Sequence, residues 1–84
     1  MKKILRFYSK VCAPCRLMGK RLEELDNVEV ISIDINDTTN NELIKKYKVR
    51  SVPTIIVLDK EENPAYEFIG VITIDKLKKV VNNE

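Results

Sequence analysis

The sequence has no tryptophan, no histidine, only two cysteines and no long hydrophobic run. Without histidine it lacks the commonest general base and metal ligand of proteins, and two cysteines are too few for a structural zinc site, which needs four ligands. No segment approaches the ~18 apolar residues of a membrane span. Charged side chains interrupt the apolar stretch near the N-terminus, so we predict neither a signal peptide nor a membrane association.

The charge and the length also limit the function. Fifteen Lys and Arg against thirteen Asp and Glu leave a net charge of +2, which is too balanced to indicate nucleic-acid binding. Eighty-four residues suffice for one domain, so we predict a single domain over residues 1–84. We also predict that the protein is monomeric and cytoplasmic. In a reducing compartment, a lone close pair of cysteines indicates catalysis or metal binding.

The two cysteines form the motif Cys-Ala-Pro-Cys, from Cys12 to Cys15. A disulfide at this spacing closes almost no loop and would stabilise little, so we expect the chemistry of the pair to be its purpose. The motif follows a predicted strand and opens a predicted helix, where free backbone N–H groups favour a thiolate. Pro14 suits a first helical turn and stiffens the loop. Lys10 and Arg16 add positive charge that would lower the thiol pKa values.

The two cysteines should differ in exposure and role. Cys12 precedes the helix, so we predict that it is the exposed nucleophile. Cys15 lies inside the first turn with apolar residues close behind it, so we predict that it is more buried and acts second, as the resolving cysteine. In this cycle Cys12 attacks a substrate disulfide, and Cys15 then releases the reduced substrate and leaves the pair oxidised.

Hydrophobic periodicity predicts an α/β fold with the order β-α-β-α-β-β-α. The first three strands alternate with helices and the last two form a hairpin, which predicts a four-stranded mixed sheet flanked by three helices, on both faces. The predicted strands are Lys3 to Ser9, Val28 to Ile33, Ile55 to Leu58 and Ala65 to Ile69; the predicted helices are Cys15 to Leu25, Glu42 to Tyr47 and a last helix capped by Thr73.

Over nearly its whole length the chain resembles the thioredoxin/glutaredoxin family. The segment from Phe7 to Arg16 matches the family's strand and active-site turn, and the segment from Glu42 to Thr54 resembles the thioredoxin segment that ends in a cis-proline, here Pro53. The resemblance implies the thioredoxin fold in a minimal, glutaredoxin-sized form. It also implies a protein-disulfide oxidoreductase in electron transport and cell redox homeostasis, with a redox-active disulfide, no other bound cofactor and no metal.

The resemblance further implies partners and a docking surface. Substrates would be disulfide-containing proteins, such as ribonucleotide reductase or peroxide-removing enzymes, and electrons would come ultimately from NADPH through thioredoxin reductase or glutathione. Pro53 would follow a cis peptide bond and lie against the cysteines. The backbone of Val52 would then pair with an extended substrate chain, and Val11, Ala13 and Gly70 would complete the substrate-binding surface.

Four positions in and near the motif depart from the thioredoxin pattern. Thioredoxins have tryptophan where Val11 stands and glycine where Ala13 stands. They also have a buried acid where this chain has Arg6, and the lysine that accompanies that acid corresponds to Ser32. The usual proton acceptor for the second cysteine is therefore missing. Our hypothesis is that Arg6, if it lies near Cys15, lowers the pKa of that thiol electrostatically instead.

Two alternative functions stay open. A glutathione-dependent glutaredoxin typically has a paired-glycine turn and an acid before its last helix, whereas this chain has only Gly70 there and Asp75 further on. A Cu(I)-binding carrier, which is not an enzyme, would need only the two thiolates. Such carriers favour a flexible loop, whereas Pro14 stiffens this one, and their order of elements differs from the one predicted here.

Overall fold

The computed structural model describes residues 1–82, and its elements follow the predicted order. Residues 83 and 84 of the predicted domain lie outside the described residues. No helix within residues 1–82 is long and apolar enough to cross a membrane. The strands are β1 (Lys2–Tyr8), β2 (Val28–Asp34), β3 (Thr54–Leu58) and β4 (Pro64–Ile69); the helices are α1 (Ala13–Glu23), α2 (Asn41–Lys46) and α3 (Ile74–Val81), with a 3-10 turn (Thr38–Asn40) before α2.

The four strands form one mixed sheet in the order β2-β1-β3-β4. β1 is parallel to β2, and β3 is antiparallel to both β1 and β4, so the predicted sheet and its terminal hairpin are confirmed. In this register Thr54 lies opposite both Phe7 and Ile69. The end of β1, the start of β3 and the end of β4 therefore meet at one edge of the sheet, which we call the site edge.

The core consists of two hydrophobic clusters, one on each face of the sheet. Because successive residues of a strand point to opposite faces, β1 and β3 contribute to both clusters, and every residue of β3 is buried. α1 and α3 cover one face and α2 borders the other, as predicted for a continuous apolar strand. The first cluster contains Ile4, Met18, Leu22, Ile55, Val57, Leu77 and Val81; the second contains Leu5, Phe7, Ile33, Ile56 and Leu58.

The boundaries around the cysteine motif differ from the predicted ones. β1 ends at Tyr8 because the carbonyl of Ser9 turns to accept a hydrogen bond from the Cys12 amide, at 3.2 Å. α1 begins at Ala13, two residues earlier than predicted, because Cys12 itself caps it. It also ends two residues earlier, since the Leu25 amide bonds only three residues back, to the Leu22 carbonyl, at 3.2 Å.

Candidate active site

The two cysteines are joined by a disulfide, with their Cα atoms 5.2 Å apart. Cys15 is completely buried, whereas Cys12 is partly exposed. Cys15 lies on the inner side of α1 together with Met18 and Leu22, which belong to the core. A molecule approaching from solvent therefore reaches the sulfur of Cys12 first.

Cys12 is the N-cap residue of α1, in extended backbone geometry. Its Sγ accepts a hydrogen bond from the Cys15 amide at 3.1 Å, and its carbonyl accepts one from the Arg16 amide at 3.3 Å. Pro14 occupies the first turn of the helix, where its missing N–H leaves no bond unmade. An amide at a helix N-terminus stabilises negative charge on the atom that it faces, so this position favours a thiolate on Cys12.

A buried serine fixes the loop that carries the motif. The Oγ of Ser9 accepts hydrogen bonds from the Val11 amide at 3.4 Å and from Nδ2 of Asn36 at 3.3 Å. Asn36 is itself held by Asp34, whose Oδ1 accepts from the Asn36 amide at 2.9 Å. Ser9 and Asn36 were not predicted as site residues, because they lie 27 positions apart and only the parallel pairing of β1 with β2 brings them together.

Lys10 and Arg16 flank the motif, and their charged groups contact different partners. The Lys10 ammonium lies 3.9 Å from Oδ2 of Asp34 and its side chain is 79% exposed. Its charge is therefore partly offset by the carboxylate and screened by water. Nη1 of Arg16 donates to the Lys10 carbonyl at 3.3 Å, so this guanidinium lies across the cysteine loop.

The segment before β3 reaches the same site edge. The Val52–Pro53 peptide bond is cis, Pro53 is buried and Val52 is partly buried. The Pro53 carbonyl accepts a hydrogen bond from the Gly70 amide at 2.9 Å. Gly70 has a φ of +90°, a conformation that other residues rarely adopt. This hydrogen bond therefore joins the end of β4 to the start of β3 at the site edge.

Exposed apolar side chains occur in the cysteine loop and at the end of β4. Val11 is 89% exposed, Ile69 is 67% exposed and Val71 is about half exposed, and Ala13 is exposed as well. The segment after β4 is fastened to α1, since the Ile72 amide lies 3.5 Å from Sδ of Met18 and the Arg21 guanidinium donates to the Ile72 carbonyl. Ile69 and Val71 were not predicted, because an isolated apolar residue in a sequence is normally assigned to the core.

Arg6 lies behind the disulfide. Its Nη2 donates to the Cys15 carbonyl and its Nη1 donates to Oγ of Ser32, both at 3.1 Å. The condition on which the Arg6 hypothesis depended, that this side chain is close to Cys15, is therefore met. Ser32 lies directly opposite Arg6 in the pairing of β1 with β2.

The reactive groups at this edge are the sulfur atoms of Cys12 and Cys15, which can form or break one covalent bond. Within residues 1–82, no three His, Cys, Asp or Glu side chains come together in a group that could hold a metal ion. The chemistry that the arrangement supports is thiol–disulfide exchange, with the attacking sulfur at a helix N-terminus and the second sulfur buried behind it.

Comparison with known proteins gives a consistent result. The protein-family model of thioredoxin matches residues 1–83. The thioredoxin of Bacillus subtilis is 32% identical over 81 residues, which cover 90% of this chain and 75% of that protein. The thioredoxin of Mycoplasmoides gallisepticum is 29% identical over 82 residues, which cover 95% of this chain and 81% of that protein.

Solved structures agree with the sequence matches. A mutant thioredoxin from Halobacterium salinarum superposes with a TM-score of 0.86 and 27% identity, covering 98% of this chain and 73% of that one. Chloroplastic thioredoxin z superposes with a TM-score of 0.82 and 27% identity, covering 99% of this chain and 77% of that one. The predicted fold class is therefore confirmed.

Proposed function

Because the chain belongs to the thioredoxin family and contains the Cys12–Cys15 disulfide, it is a thiol–disulfide oxidoreductase that acts on protein disulfides, and we propose that Cys12 is its nucleophile and Cys15 its resolving cysteine. The observation that supports this assignment is the unequal exposure of two sulfurs at one helix N-terminus. Cys12 is accessible and accepts a hydrogen bond from a helix amide, whereas Cys15 is fully buried.

The proposed cycle exchanges two electrons. The Cys12 thiolate attacks one sulfur of a substrate disulfide, forming a mixed disulfide and releasing the other sulfur as a thiolate, which takes up a proton. The Cys15 thiolate then attacks Cys12, so that the Cys12–Cys15 bond forms and the substrate leaves as a second thiolate that is also protonated. The protein loses two electrons and two protons, and the substrate disulfide gains them.

The substrate is proposed to bind at the site edge as an extended chain. The Val52 backbone, next to the buried Pro53, would pair with that chain by strand addition. Val11, Ala13 and Gly70 would contact its side chains, and the exposure of Val11 and Ala13 supports this role. Pro14 would keep the cysteine loop rigid, while Lys10 and Arg16 would add positive charge that favours the thiolate of Cys12.

We also propose how the protein is supplied with electrons and where it acts. Electrons would come from NADPH through thioredoxin reductase, with glutathione as the alternative donor. Ribonucleotide reductase and peroxide-removing enzymes are the substrate classes that the family suggests. We propose that the protein acts as a cytoplasmic monomer with one domain over residues 1–84.

A glutathione-dependent glutaredoxin has no better support. The family model and the relatives described above are thioredoxins, and the turn between β4 and α3 contains the single glycine Gly70. The comparisons therefore favour thioredoxin reductase over glutathione as the electron donor.

The direct test is insulin reduction coupled to NADPH oxidation, with thioredoxin reductase in one arm and with glutathione and glutathione reductase in the other. We expect turnover in the first arm and its complete loss in Cys12→Ser. Cys15→Ser should accumulate a covalent insulin adduct on Cys12, visible on a non-reducing gel, and Cys12→Ser should not. Such trapping distinguishes the two roles, since each variant keeps one thiol.

Other outcomes would contradict specific parts of the proposal. Turnover in the glutathione arm alone would make the protein a glutaredoxin. An adduct on Cys15 in Cys12→Ser, with none on Cys12 in Cys15→Ser, would reverse the assigned roles. Inactivity in both arms, together with stoichiometric Cu(I) binding by the reduced protein, would favour the carrier.

A further inference from the structure

Arg6 is a fixed cation at the first turn of α1. It lies in the middle of β1, with its Nη2 on the Cys15 carbonyl and its guanidinium carbon 4.4 Å from the centre of the Tyr8 ring. Its Nε is buried and has no hydrogen-bond partner among the described residues. A buried unpaired donor is unfavourable, so the local packing holds this side chain in place despite that cost.

Gly19 is what allows the guanidinium to approach the helix. It occupies the interior of α1, where glycine is about 1 kcal/mol less favourable than alanine. A Cβ atom built on Gly19 would lie 2.9 Å from Nη2, 3.1 Å from Cζ and 3.3 Å from Nε of Arg6. Any other residue would therefore push the guanidinium away from the backbone of α1. Two unfavourable features, the unpaired Nε and a glycine inside a helix, thus occur at the same contact.

We propose that Arg6, seated on Gly19, is a positioning residue that favours the thiolate form of Cys15 and so allows the second step of the cycle to proceed at neutral pH. This inference rests on the proposed function, in which Cys15 must lose its proton before it attacks Cys12. The proton goes to solvent, the new bond joins Cys15 to Cys12, and the bond from Cys12 to the substrate sulfur breaks, so the step consumes no further reactant.

A nearby cation matters because the burial of Cys15 opposes the loss of its proton. Complete burial disfavours a charged thiolate and raises the pKa of a thiol. A guanidinium that donates to the Cys15 carbonyl lies within about 8 Å of the sulfur by standard bond lengths. At that separation a partly buried unit charge shifts a pKa by on the order of one unit, which offsets part of the effect of burial.

The remaining charged groups in the neighbourhood do not cancel this cation. Arg16, Lys20 and Glu23 line the same cleft between α1 and β2 as Arg6. β2 contributes the neutral Ser32. Tyr8 stacks on Arg6, and β3 and α3 contribute apolar core side chains to this face, among them Ile55, Val57 and Leu77. Arg16, Lys20 and Glu23 are all exposed and their charges are therefore strongly screened, so Arg6 is the charged group expected to act on Cys15.

The test is to titrate Cys15 in a Cys12→Ser background, by following its Cβ chemical shift with NMR. We expect the pKa of Cys15 to rise by about one unit in Arg6→Gln, which removes the charge, and by a similar amount in Gly19→Ala, which keeps the charge but displaces it. Arg6→Lys should recover part of the shift. Lys20→Gln, the matched control, removes an exposed cation from the same cleft and should shift the pKa much less.

These variants also test the proposal against a merely structural role. In the protein with both cysteines, Arg6→Gln and Gly19→Ala should move the acid limb of the pH profile for insulin reduction upward, which a general loss of stability would not do. If Arg6→Gln did not fold, Gly19→Ala and Arg6→Lys would still provide the comparison.

The outcomes that would overturn the inference are distinct from a failure of the proposed function. An unchanged pKa in both Arg6→Gln and Gly19→Ala would overturn it, as would a shift in Lys20→Gln as large as that in Arg6→Gln. A rise in Arg6→Gln alone would overturn the part assigned to Gly19. Because the titration requires no substrate, a failure of the proposed function would instead appear as an inactive wild-type protein in the insulin assay.

Discussion

At the scale of single residues, the small polar residue Ser9 holds the loop that carries Cys12. Its Oγ accepts two hydrogen bonds from the loop side of the sheet and its carbonyl accepts a third, from the Cys12 amide. Ser9 is almost completely buried, so its hydroxyl has little access to water. The loop that carries Cys12 is therefore held in part by a hydroxyl group that has no assigned role in the chemistry.

Replacing Ser9 tests this dependence. Ser9→Ala removes the two part-buried hydrogen bonds that the hydroxyl accepts from the Val11 amide and from Nδ2 of Asn36, so we expect the free energy of unfolding of the oxidised protein to fall by about 1–2 kcal/mol. Urea denaturation measures the change. Ser32→Ala is the matched control, because Ser32 is exposed and water can replace its hydrogen bond. An equal loss in the two variants would show that the burial of Ser9 is unimportant.

Some of the residues in the candidate site could be predicted from the sequence and others could not. Cys12 and Cys15 were found from their spacing, because two thiols separated by two residues have few other uses. Their unequal exposure followed from the position of the loop before a helix. Gly19 was missed, although a glycine inside a helical pattern is a recognisable signal, since its partner Arg6 lies on another element and no local pattern connects them.

At the scale of secondary structure, the chain leaves α2 through Lys48, which has a left-handed backbone conformation that lysine disfavours. The Val49 amide bonds to the Ile44 carbonyl at 3.0 Å and the Lys48 amide bonds to the Lys45 carbonyl at 3.2 Å, which together form a Schellman motif. Lys48 has the left-handed φ of +55° that this motif requires. A residue with a Cβ atom is strained there by about 1 kcal/mol, and glycine is not.

Replacing that lysine should therefore stabilise the protein. We expect Lys48→Gly to raise the free energy of unfolding by about 0.5 kcal/mol, since the relief of strain exceeds the added entropy of a glycine in the unfolded chain. Lys45→Gly, three residues earlier in the regular part of α2, should lower it by about 1 kcal/mol. Urea midpoints at constant m-value measure both. Changes of the same sign would contradict the role of the left-handed φ.

Element types were more predictable than element boundaries. β3 was predicted correctly because a continuous apolar run is typical of a strand covered on both faces. The start of α1 was predicted two residues late, because the prediction followed the apolar residues at helical spacing, and the first of these is Leu17. The actual boundary is set by the sulfur of Cys12, which accepts the hydrogen bond that a hydroxyl or carboxylate usually accepts at such a position.

At the scale of the whole molecule, the strand order assembles the candidate site. The cysteine loop, Pro53 and Gly70 lie far apart in sequence, and the pairing of β1 with β3 and of β3 with β4 brings them to one edge. Periodicity predicted four strands and a mixed sheet but gave no register. The proposal that Pro53 takes part in the site therefore came from the resemblance to a family, whereas the β-strand pattern alone would have assigned it only to the start of a strand.

An ion pair connects distant parts of the sheet and should make stability depend on pH. Nζ of Lys3, in β1, lies 2.7 Å from Oε2 of Glu62, in the turn between β3 and β4. The hydrogen bond from Lys3, followed by its charge, holds the pKa of Glu62 below its ordinary value of 4.5. The same contact raises the pKa of Lys3 above 10.5, with the hydrogen bond to Glu62 as the first cause.

The signs of these shifts define the pH window. A lowered carboxyl pKa stabilises the folded state above 4.5, and this contribution is lost as the pH falls through the lower folded value. A raised lysine pKa stabilises below 10.5, and this contribution is lost as the pH rises through the higher folded value. The ion pair should therefore stabilise the protein between these limits and contribute nothing in strong acid.

Thermal unfolding of Glu62→Gln across this range tests the window. We expect its melting temperature to lie slightly below that of the wild type at neutral pH, the difference to shrink in high salt, and the two curves to converge in acid. Glu61→Gln is the matched control, because Glu61 belongs to the same turn and its carboxylate makes no ion pair within residues 1–82. A difference that persisted unchanged after Glu62 of the wild type was protonated would mean that Glu62 acts through the backbone of its turn, where its φ is +65°, and not through its charge.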